Sequence, residues 1–569
     1  MFSNGVAVRT LFFIWRIPKT FWFWGPIRGD GVVSWGFDSL RYRYPSSRKV
    51  IFGSRGMVCA SQPLAAQAGL DVMKKGGNAV DAAIATAACL TVLEPTGNGL
   101  GSDAFAIVCS SDGKIHGLNA SGPAPRALDV ESLRSRYGGS MPKYGWDAVT
   151  VPGAVAAWAE MSKKFGRLGF AELLGPAIEY ATEGYPVSPV VSRGWGLSYS
   201  TFSNEFKHES LKNWFPTFAP EGRAPRAGEV VRLPEHASTL RELADTRGES
   251  FYRGSLAERI VAFAKSTGGN LCLEDLAEYS PEWVEPITVG YKGYTVHELP
   301  PNGHGIVALM ALKILEGMEI GGFGEVDTLH NQIEAMKLAF TDGRRYVADP
   351  AHMQVRVEEL LSDNYAKRRR ALIGHTAMMP QPGDPSSGGT VYLCTADGDG
   401  NMVSFIQSNY MGFGSGVVVP GTGIALQNRG NNFSLDPSSE NCAAPGKRPY
   451  HTIIPGFLSK GGKPIGPFGV MGGFMQPQGH LQVLMNTIDF NMNPQEALDA
   501  PRWQWTEGKS VEIERGFGGS VTEELVRRGH NILLPAEQTS MGRGQIIWRK
   551  EGVLVGGTEP RTDGTVAAY

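Results

Sequence analysis

No two cysteines in this chain are spaced C-x-x-C. The six, Cys59, Cys89, Cys109, Cys272, Cys394 and Cys442, are scattered through 569 residues. That excludes a zinc knuckle or a disulfide framework and leaves them expected as buried thiols. A basic surplus is also lacking. Fifty-four Lys and Arg against 56 Asp and Glu give a net charge of -2, so nothing draws the protein to phosphate backbones, and small molecules are the expected partners rather than nucleic acid. The histidines form no H-E-x-x-H, and His297 and His304 are expected in a loop around Pro300-Pro301. Neither a metal nor another cofactor is expected. No G-x-S-x-G elbow occurs. The apolar run Leu11 to Trp15 is broken by Arg16, Pro18 and Lys19, short of a secretory core or a membrane span. Residues 1–48 are therefore expected to be a disordered extension, and the expected location is cytoplasmic, with no membrane partner.

What is present is ample core material, 42% hydrophobic residues, enough for a large globular fold. Pro63 to Lys75 reads as a helix stopped by Gly76-Gly77. Asn78 is placed to cap a second helix, Ala79 to Val92, whose nearly all-apolar sequence predicts burial on most faces. The glycine-rich turn Pro95 to Asp103 follows. A dinucleotide fingerprint requires strand, then turn, then helix; here a helix precedes the turn and a strand, Ala104 to Cys109, follows it, so the phosphate-loop reading is rejected. Glu94 and Asp103 beside this turn are read as capping or turn-stabilising acids. From 150 to 350 amphipathic helices alternate with Pro/Gly turns (Ala154 to Lys164, Gly305 to Glu316, Leu329 to Phe340), with no internal repeat.

A hydrophilic stretch, Arg368 to Ser387, leads into Ser386-Ser387-Gly388-Gly389-Thr390-Val391-Tyr392-Leu393. Beyond it the pattern turns to β: Val391 to Ala396 and Met402 to Gln407 are apolar runs joined by Asp397-Gly398-Asp399-Gly400-Asn401, a hairpin signal. Thr390 thus opens a strand. Scission of Gly389-Thr390 would put a hydroxyl nucleophile and a free α-amine on one residue, and the amine can serve as the hydroxyl's general base. An N-terminal amine titrates ordinarily at about 7.7 to 8.0, so a useful fraction is neutral near physiological pH. In a chain with 73 glycines, a loop running into a strand is the plainer reading of Gly-Gly-Thr taken alone.

Its surroundings decide between the two. Gly76-Gly77-Asn78-Ala79-Val80-Asp81-Ala82-Ala83, Val151-Pro152-Gly153, Glu334-Ala335-Met336-Lys337-Leu338-Ala339-Phe340, Thr390 with its Asp-Gly-Asn hairpin, Lys447-Arg448-Pro449, Gly472-Gly473 and Glu559-Pro560-Arg561 occur in an order that resembles the γ-glutamyltranspeptidase family of N-terminal-nucleophile hydrolases, from about residue 50 to the end. The resemblance implies an α/β (α+β) four-layer αββα sandwich. It also implies a proenzyme cleaved at Gly389-Thr390 into a helix-rich large chain, 49–389 after the extension, and a small chain, 390–569, which stay together as a heterodimer. By the same resemblance Thr390 is the nucleophile, Ser408 its hydroxyl neighbour, and the backbone N–H groups of Gly472 and Gly473 the oxyanion donors. The substrates implied are γ-glutamyl amides such as glutathione.

The specificity positions depart from the family pattern. Where relatives have an arginine for the substrate α-carboxylate, this chain has Ser121. Tyr410 replaces an asparagine, Arg429 a glutamine, Asn432 the acid that receives the substrate ammonium, and His451-Thr452 a Ser-Ser pair. Positive charge has moved across the pocket, so a carboxylate is expected on Arg429 with weaker selection for an ammonium, and glutaryl-like groups become rivals of γ-glutamyl ones. Arg126 is a second candidate for the missing charge, and pairing of Arg429 with Asp436 the structural alternative. The short connection from Asn432 to Lys447 predicts an open pocket in which hydrolysis outweighs transfer to amine acceptors. An uncleaved homologue that only binds ligand is the competing reading of the whole chain.

Overall fold

The computed structural model describes residues 47–380, 389–535 and 538–569. Most of the 1–48 extension, and residues 381–388 of the stretch before Thr390, lie outside the described residues. Two seven-stranded sheets form the centre. In the first, the strand order runs Thr565–Ala568, Gly56–Ala60, Gly389–Asp397, Met402–Tyr410, Asp103–Cys109, Ile115–Ala120, Glu282–Val284. In the second it runs Ile51–Gly53, Val553–Thr558, Arg543–Lys550, Lys463–Met471, Gly456–Lys460, Tyr294–Glu298, Ile287–Tyr291. Every neighbouring pair in both is antiparallel.

Period-two alternation explains why the sheets stack. Along Gly389–Asp397, Tyr392, Cys394 and Ala396 face Met57, Phe105, Phe457, Met471 and Ile547 in a core between the sheets. The alternate residues Val391 and Leu393 face outward into a second core shared with the helices Pro63–Lys74, Ala79–Leu93 and Ala154–Phe165. A third core covers the far face of the other sheet, where Val296, Leu458, Phe468, Val470 and Ile546 meet Gly305–Glu316, Val326–Tyr346 and Gln476–Ile488. Helix, sheet, sheet, helix is the expected four-layer sandwich.

All fifteen residues of Ala79–Leu93 are buried. Its start is fixed as expected: Asn78 Oδ1 accepts the N–H groups of Val80 (2.9 Å) and Asp81 (3.0 Å), and Asp81 Oδ2 accepts that of Asn78 (2.9 Å), a complete capping box. Asp397 performs two tasks. Its Oδ1 accepts Asn401 N–H inside the hairpin (3.0 Å), and its Oδ2 accepts Ala79 N–H (3.0 Å), pinning the buried helix to the strand that begins near Thr390.

Some expectations need correction. His297 lies on the strand Tyr294–Glu298 rather than in a loop, whereas His304 is in the turn that leads into Gly305–Glu316, as expected. Leu329 to Phe340 is the middle of a longer helix, Val326–Tyr346, in whose centre Glu334 and Lys337 are buried as an ion pair. The stretch from Arg368 begins inside the helix Asp363–Arg370. Cys59, Cys89, Cys109 and Cys394 are buried thiols, whereas Cys272 and Cys442 are only partly covered. Among the described residues no helix is long and apolar enough to cross a membrane.

Candidate active site

Thr390 sits at an irregularity of the hairpin. Val391 is paired with Gln407 but Gly389 with Tyr410, so Thr390 alone stands opposite Ser408 and Asn409, and the bulge turns the Ser408 side chain toward Thr390. Thr390 Oγ1 and Ser408 Oγ are 2.9 Å apart, and Ser408 Oγ also accepts the N–H of Tyr410 at 2.8 Å. Tyr410 carries φ +75°, a left-handed backbone that a bulky residue rarely adopts and that marks a constrained position.

The glycine-rich turn wraps the nucleophile strand. A Cβ on Gly97 would lie 3.2 to 3.4 Å from the backbone O, C and N of Thr390, so only glycine lets this close approach occur without displacing the threonine. Gly97 O accepts Asn409 N–H (3.2 Å), Ser102 Oγ donates to Asn409 Oδ1 (2.9 Å), and Asn98 Oδ1 accepts from Gln407 Nε2 (2.7 Å). Glu94 and Asp103 at its ends do more than stabilise a turn. Glu94 bonds Ser61 Oγ at 2.5 Å and lies 3.3 Å from Arg543. Asp103 pairs in register with Ser408.

Asp103 also leads into the pocket. Its Oδ1 accepts Gly153 N–H at 3.1 Å and its Oδ2 lies 3.1 Å from His451 Nε2, both side chains having no exposed surface. Arg429 is buried on the short turn Arg429–Asn432. Its Nη1 donates to Thr452 Oγ1 at 2.6 Å and its guanidinium lies 4.9 Å over the Tyr410 ring; among the described residues its Nε and Nη2 have no hydrogen-bond partner, nor has Asn432 Nδ2. Burial pulls Arg429 down to about 10, opposed by the charge of Asp103, so it remains a cation at neutral pH. Burial pushes Asp103 up to about 8 against the pull of Arg429. Burial and Arg429 together hold His451 well below the ordinary histidine range, hence neutral. The structure thus brings Tyr410, Arg429, His451 and Thr452 into one buried cluster beside Thr390 and Ser408, while Asn432, at the end of the Arg429 turn, is only partly buried. The open pocket expected from the short connection after Asn432 is not seen in the uncut chain: Thr390, Ser408 and Arg429 are fully buried.

Three sequence candidates lie otherwise. Ser121 is occupied, its Oγ donating to Asn119 Oδ1 (2.7 Å) and accepting from Asn302 Nδ2 (3.2 Å). Arg126 pairs with Asp275 (3.0 Å) and Glu278 (2.8 Å) and cannot supply the missing charge. Asp436 accepts from Ser438 rather than from Arg429. Gly472 and Gly473, with φ of +140° and +59°, end the strand Lys463–Met471 and lead through the turn Gly473–Met475 into Gln476–Ile488. A side chain on Gly472 would approach Gly542 Cα to 3.1 Å. N–H groups at such a helix start suit a developing negative charge.

The described residues hold one compact His/Glu group of metal-ligand type, His330, Glu334 and His530, with candidate atoms within 4.8 Å of one another. Its atoms are already engaged. His330 Nδ1 meets His530 Nε2 at 2.9 Å, His330 Nε2 meets Gly374 O at 2.7 Å, and Glu334 Oε1 accepts from Lys337 Nζ at 2.7 Å. The carboxylate is thus neutralised by a buried ammonium, and the group reads as an ion pair extended by two histidines, with His530 Nδ1 left unpartnered among the described residues.

Comparison with known proteins agrees with this geometry. The γ-glutamyltranspeptidase family model matches residues 65–569. The chain is 36% identical over 527 residues to the glutathione hydrolase-like YwrD proenzyme of Bacillus subtilis, covering 91% of this chain and 99% of that protein. It is 34% identical over 531 residues to the oxamate amidohydrolase proenzyme of Klebsiella pneumoniae, covering 91% and 99%. The crystal structure of a cephalosporin acylase from Bacillus halodurans superposes with a TM-score of 0.91 at 62% identity, covering 94% of this chain and 99% of the other.

Proposed function

Because the chain belongs to the γ-glutamyltranspeptidase family, and is therefore an enzyme of the N-terminal-nucleophile hydrolase type, we propose that it cuts itself between Gly389 and Thr390 and then hydrolyses amides of short acyl groups that carry a free carboxylate. In the precursor, Thr390 Oγ1 attacks the Gly389 carbonyl carbon, the peptide nitrogen leaves as the new α-amine, and water hydrolyses the resulting ester. Gly389 then ends one chain and Thr390 begins the other. In the mature enzyme the freed amine takes the hydroxyl proton as Oγ1 attacks the substrate amide. The oxyanion is held by the N–H groups of Gly472 and Gly473, the amine product leaves with the proton, and water releases the acid. Ser408 Oγ, 2.9 Å from Oγ1, orients the nucleophile through both stages.

The observation that carries the substrate reading is Arg429, a buried cation whose Nε and Nη2 have no hydrogen-bond partner among the described residues. A carboxylate on the acyl group supplies both partners. Asn432 stands where an ammonium-binding acid is found in relatives, and the acid facing Arg429, Asp103, is already engaged by Gly153 and His451. Glutaryl-type groups fit this balance, and the similarity to a cephalosporin acylase supports them. The γ-glutamyl reading is favoured by the relatives named glutathione hydrolases.

Comparing glutaryl and γ-glutamyl 4-nitroanilides on mature protein decides between them. The glutaryl compound is expected to be turned over at least as well, and a γ-glutamyl preference of about a thousandfold or more would overturn the glutaryl reading. With dipeptide acceptors at about millimolar concentration, near ordinary substrate levels, hydrolysis is expected to exceed transfer.

A further inference from the structure

We propose that Asp103 is a positioning and specificity residue of the acyl pocket: it anchors the His451-Thr452 segment that seats Arg429, and its own charge sets how firmly Arg429 holds an anionic acyl group. The inference rests on the reading that the acyl group carries a carboxylate.

The geometry forms one continuous path. Asp103 lies at the start of a strand, paired in register with Ser408, whose hydroxyl touches Thr390. From the same residue Oδ2 reaches His451 Nε2 (3.1 Å), the next residue in the chain is Thr452, and Thr452 Oγ1 accepts Arg429 Nη1 (2.6 Å). Gly153 N–H fixes the other carboxylate oxygen (3.1 Å). A side chain on Gly153 would run into Ala120 O at 1.9 Å, so the loop bearing that N–H cannot shift to accept a larger residue. Removing Asp103 therefore loosens Arg429 without touching substrate.

Charge adds the second effect. The groups that act on Asp103 are Arg429 and Arg448, which favour its ionised form, the N–H groups of Gly153 and Gly122, which do the same, neutral His451, and the phenols Tyr252 and Tyr279. Burial outweighs the cations and leaves the carboxyl titrating at about 8. Below that pH Asp103 is protonated and Arg429 presents an unopposed positive charge to the acyl carboxylate. Above it, Asp103 is an anion competing with the substrate for the same guanidinium.

The test is the ratio of KM for an anionic anilide to KM for the neutral pentanoyl 4-nitroanilide, measured on mature protein from about pH 6.5 to about pH 9.5, a range bracketing the Asp103 value; the ratio cancels the titration of the Thr390 amine, which acts on both substrates. The glutaryl anilide is the anionic probe; the γ-glutamyl anilide, a zwitterion whose own α-amine titrates in this range, is run beside Asp103→Asn, and only the part of its change that is lost with the Asp103 charge is counted. In the unmodified enzyme the ratio is expected to rise about tenfold across pH 8, a change of the size one nearby charge produces in a partly screened site. Asp103→Asn, which keeps the shape and removes the charge, is expected to give a low, flat ratio. Asp103→Ala, which removes the anchor as well, is expected to give a raised, flat ratio. A pH-independent ratio in the unmodified enzyme, or the same rise in Asp103→Asn, overturns the inference. If only the γ-glutamyl anilide is turned over but its ratio still follows Asp103, the glutaryl reading falls and the role of Asp103 stands. Calorimetric titration with glutarate at about pH 7 and about pH 9, either side of the Asp103 value, gives the same readout without turnover. Equal affinity at the two pH values, or no binding at either, counts against the inference.

Discussion

Ser408 Oγ stands 2.9 Å from Thr390 Oγ1 where a bulge places two residues, Ser408 and Asn409, against Thr390 alone on the neighbouring strand. The nucleophile's orientation is thus set by backbone register and depends on the hairpin keeping its irregular pairing.

Thr390→Ala is expected to abolish both self-cleavage and activity, giving one band on a denaturing gel where the unmodified protein gives two. The smaller band should begin Thr-Val-Tyr-Leu by amino-terminal sequencing. Ser408→Ala keeps the nucleophile but loses its partner, and its cleavage and turnover are expected to fall about 10- to 100-fold, within the range assigned to positioned proton-transfer and orienting groups. Single-turnover rates check this. Active material with no fragment starting at Thr390 would remove the proposed mechanism.

Arg429→Gln should raise KM for carboxylate-bearing amides by about two orders of magnitude, the scale for loss of a buried charged hydrogen-bond partner. The neutral pentanoyl anilide should be little affected. Asp103 is protonated near neutral pH, so it is not left as an uncompensated anion and the fold survives. Equal losses on both substrates would mean that Arg429 is structural.

Gly97→Ala places a methyl group 3.2 to 3.4 Å from the Thr390 backbone. That is a tolerable contact for stability but a displacement of the reacting atom by a few tenths of an ångström. Cleavage and turnover are expected to fall at least about tenfold while the melting temperature moves by only a few degrees, because near-attack geometry is steeper than packing energy. Parallel loss of both would indicate a general collapse of the turn.

Glu334→Ala leaves Lys337 buried and charged beside two histidines. Both members of the pair have no exposed surface and are joined at 2.7 Å. Removing one partner is expected to cost about 3 to 5 kcal/mol, and replacing both with Leu and Met far less. Denaturant unfolding of the three proteins measures the difference. Equal destabilisation by single and double variants would contradict it.

The sequence made the frame legible because its signals are local. Asn78 and Asp81 are three residues apart, and the capping box they form is visible without any other part of the chain. The Asp397 to Asn401 turn dictates a hairpin, and the hairpin puts Thr390 on a strand end. The role of Asp103 is illegible in the sequence for the opposite reason. Beside a glycine turn an aspartate looks like a cap, whereas its working partners, His451 and Arg429, are more than three hundred residues further along. The bulge at Ser408 has no marker in residue type, since Ser-Asn-Tyr continues an ordinary strand pattern. The burial of the site in the uncut chain was hidden as well, because loop length alone says nothing about how a loop packs.

The strand order of the first sheet gives self-cleavage a lasting consequence. Strands from before and after residue 389 are interleaved in it: Thr565–Ala568, then Gly56–Ala60, then Gly389–Asp397 and Met402–Tyr410, then Asp103–Cys109. While the chain is continuous, its assembly is a first-order event with the pieces tethered at high effective concentration. Once the bond is cut, the same ladder can be rebuilt only by two separate molecules meeting and threading together. The mature protein would thus be a one-way product, durable while intact and slow, concentration-dependent and aggregation-prone to recover after denaturation.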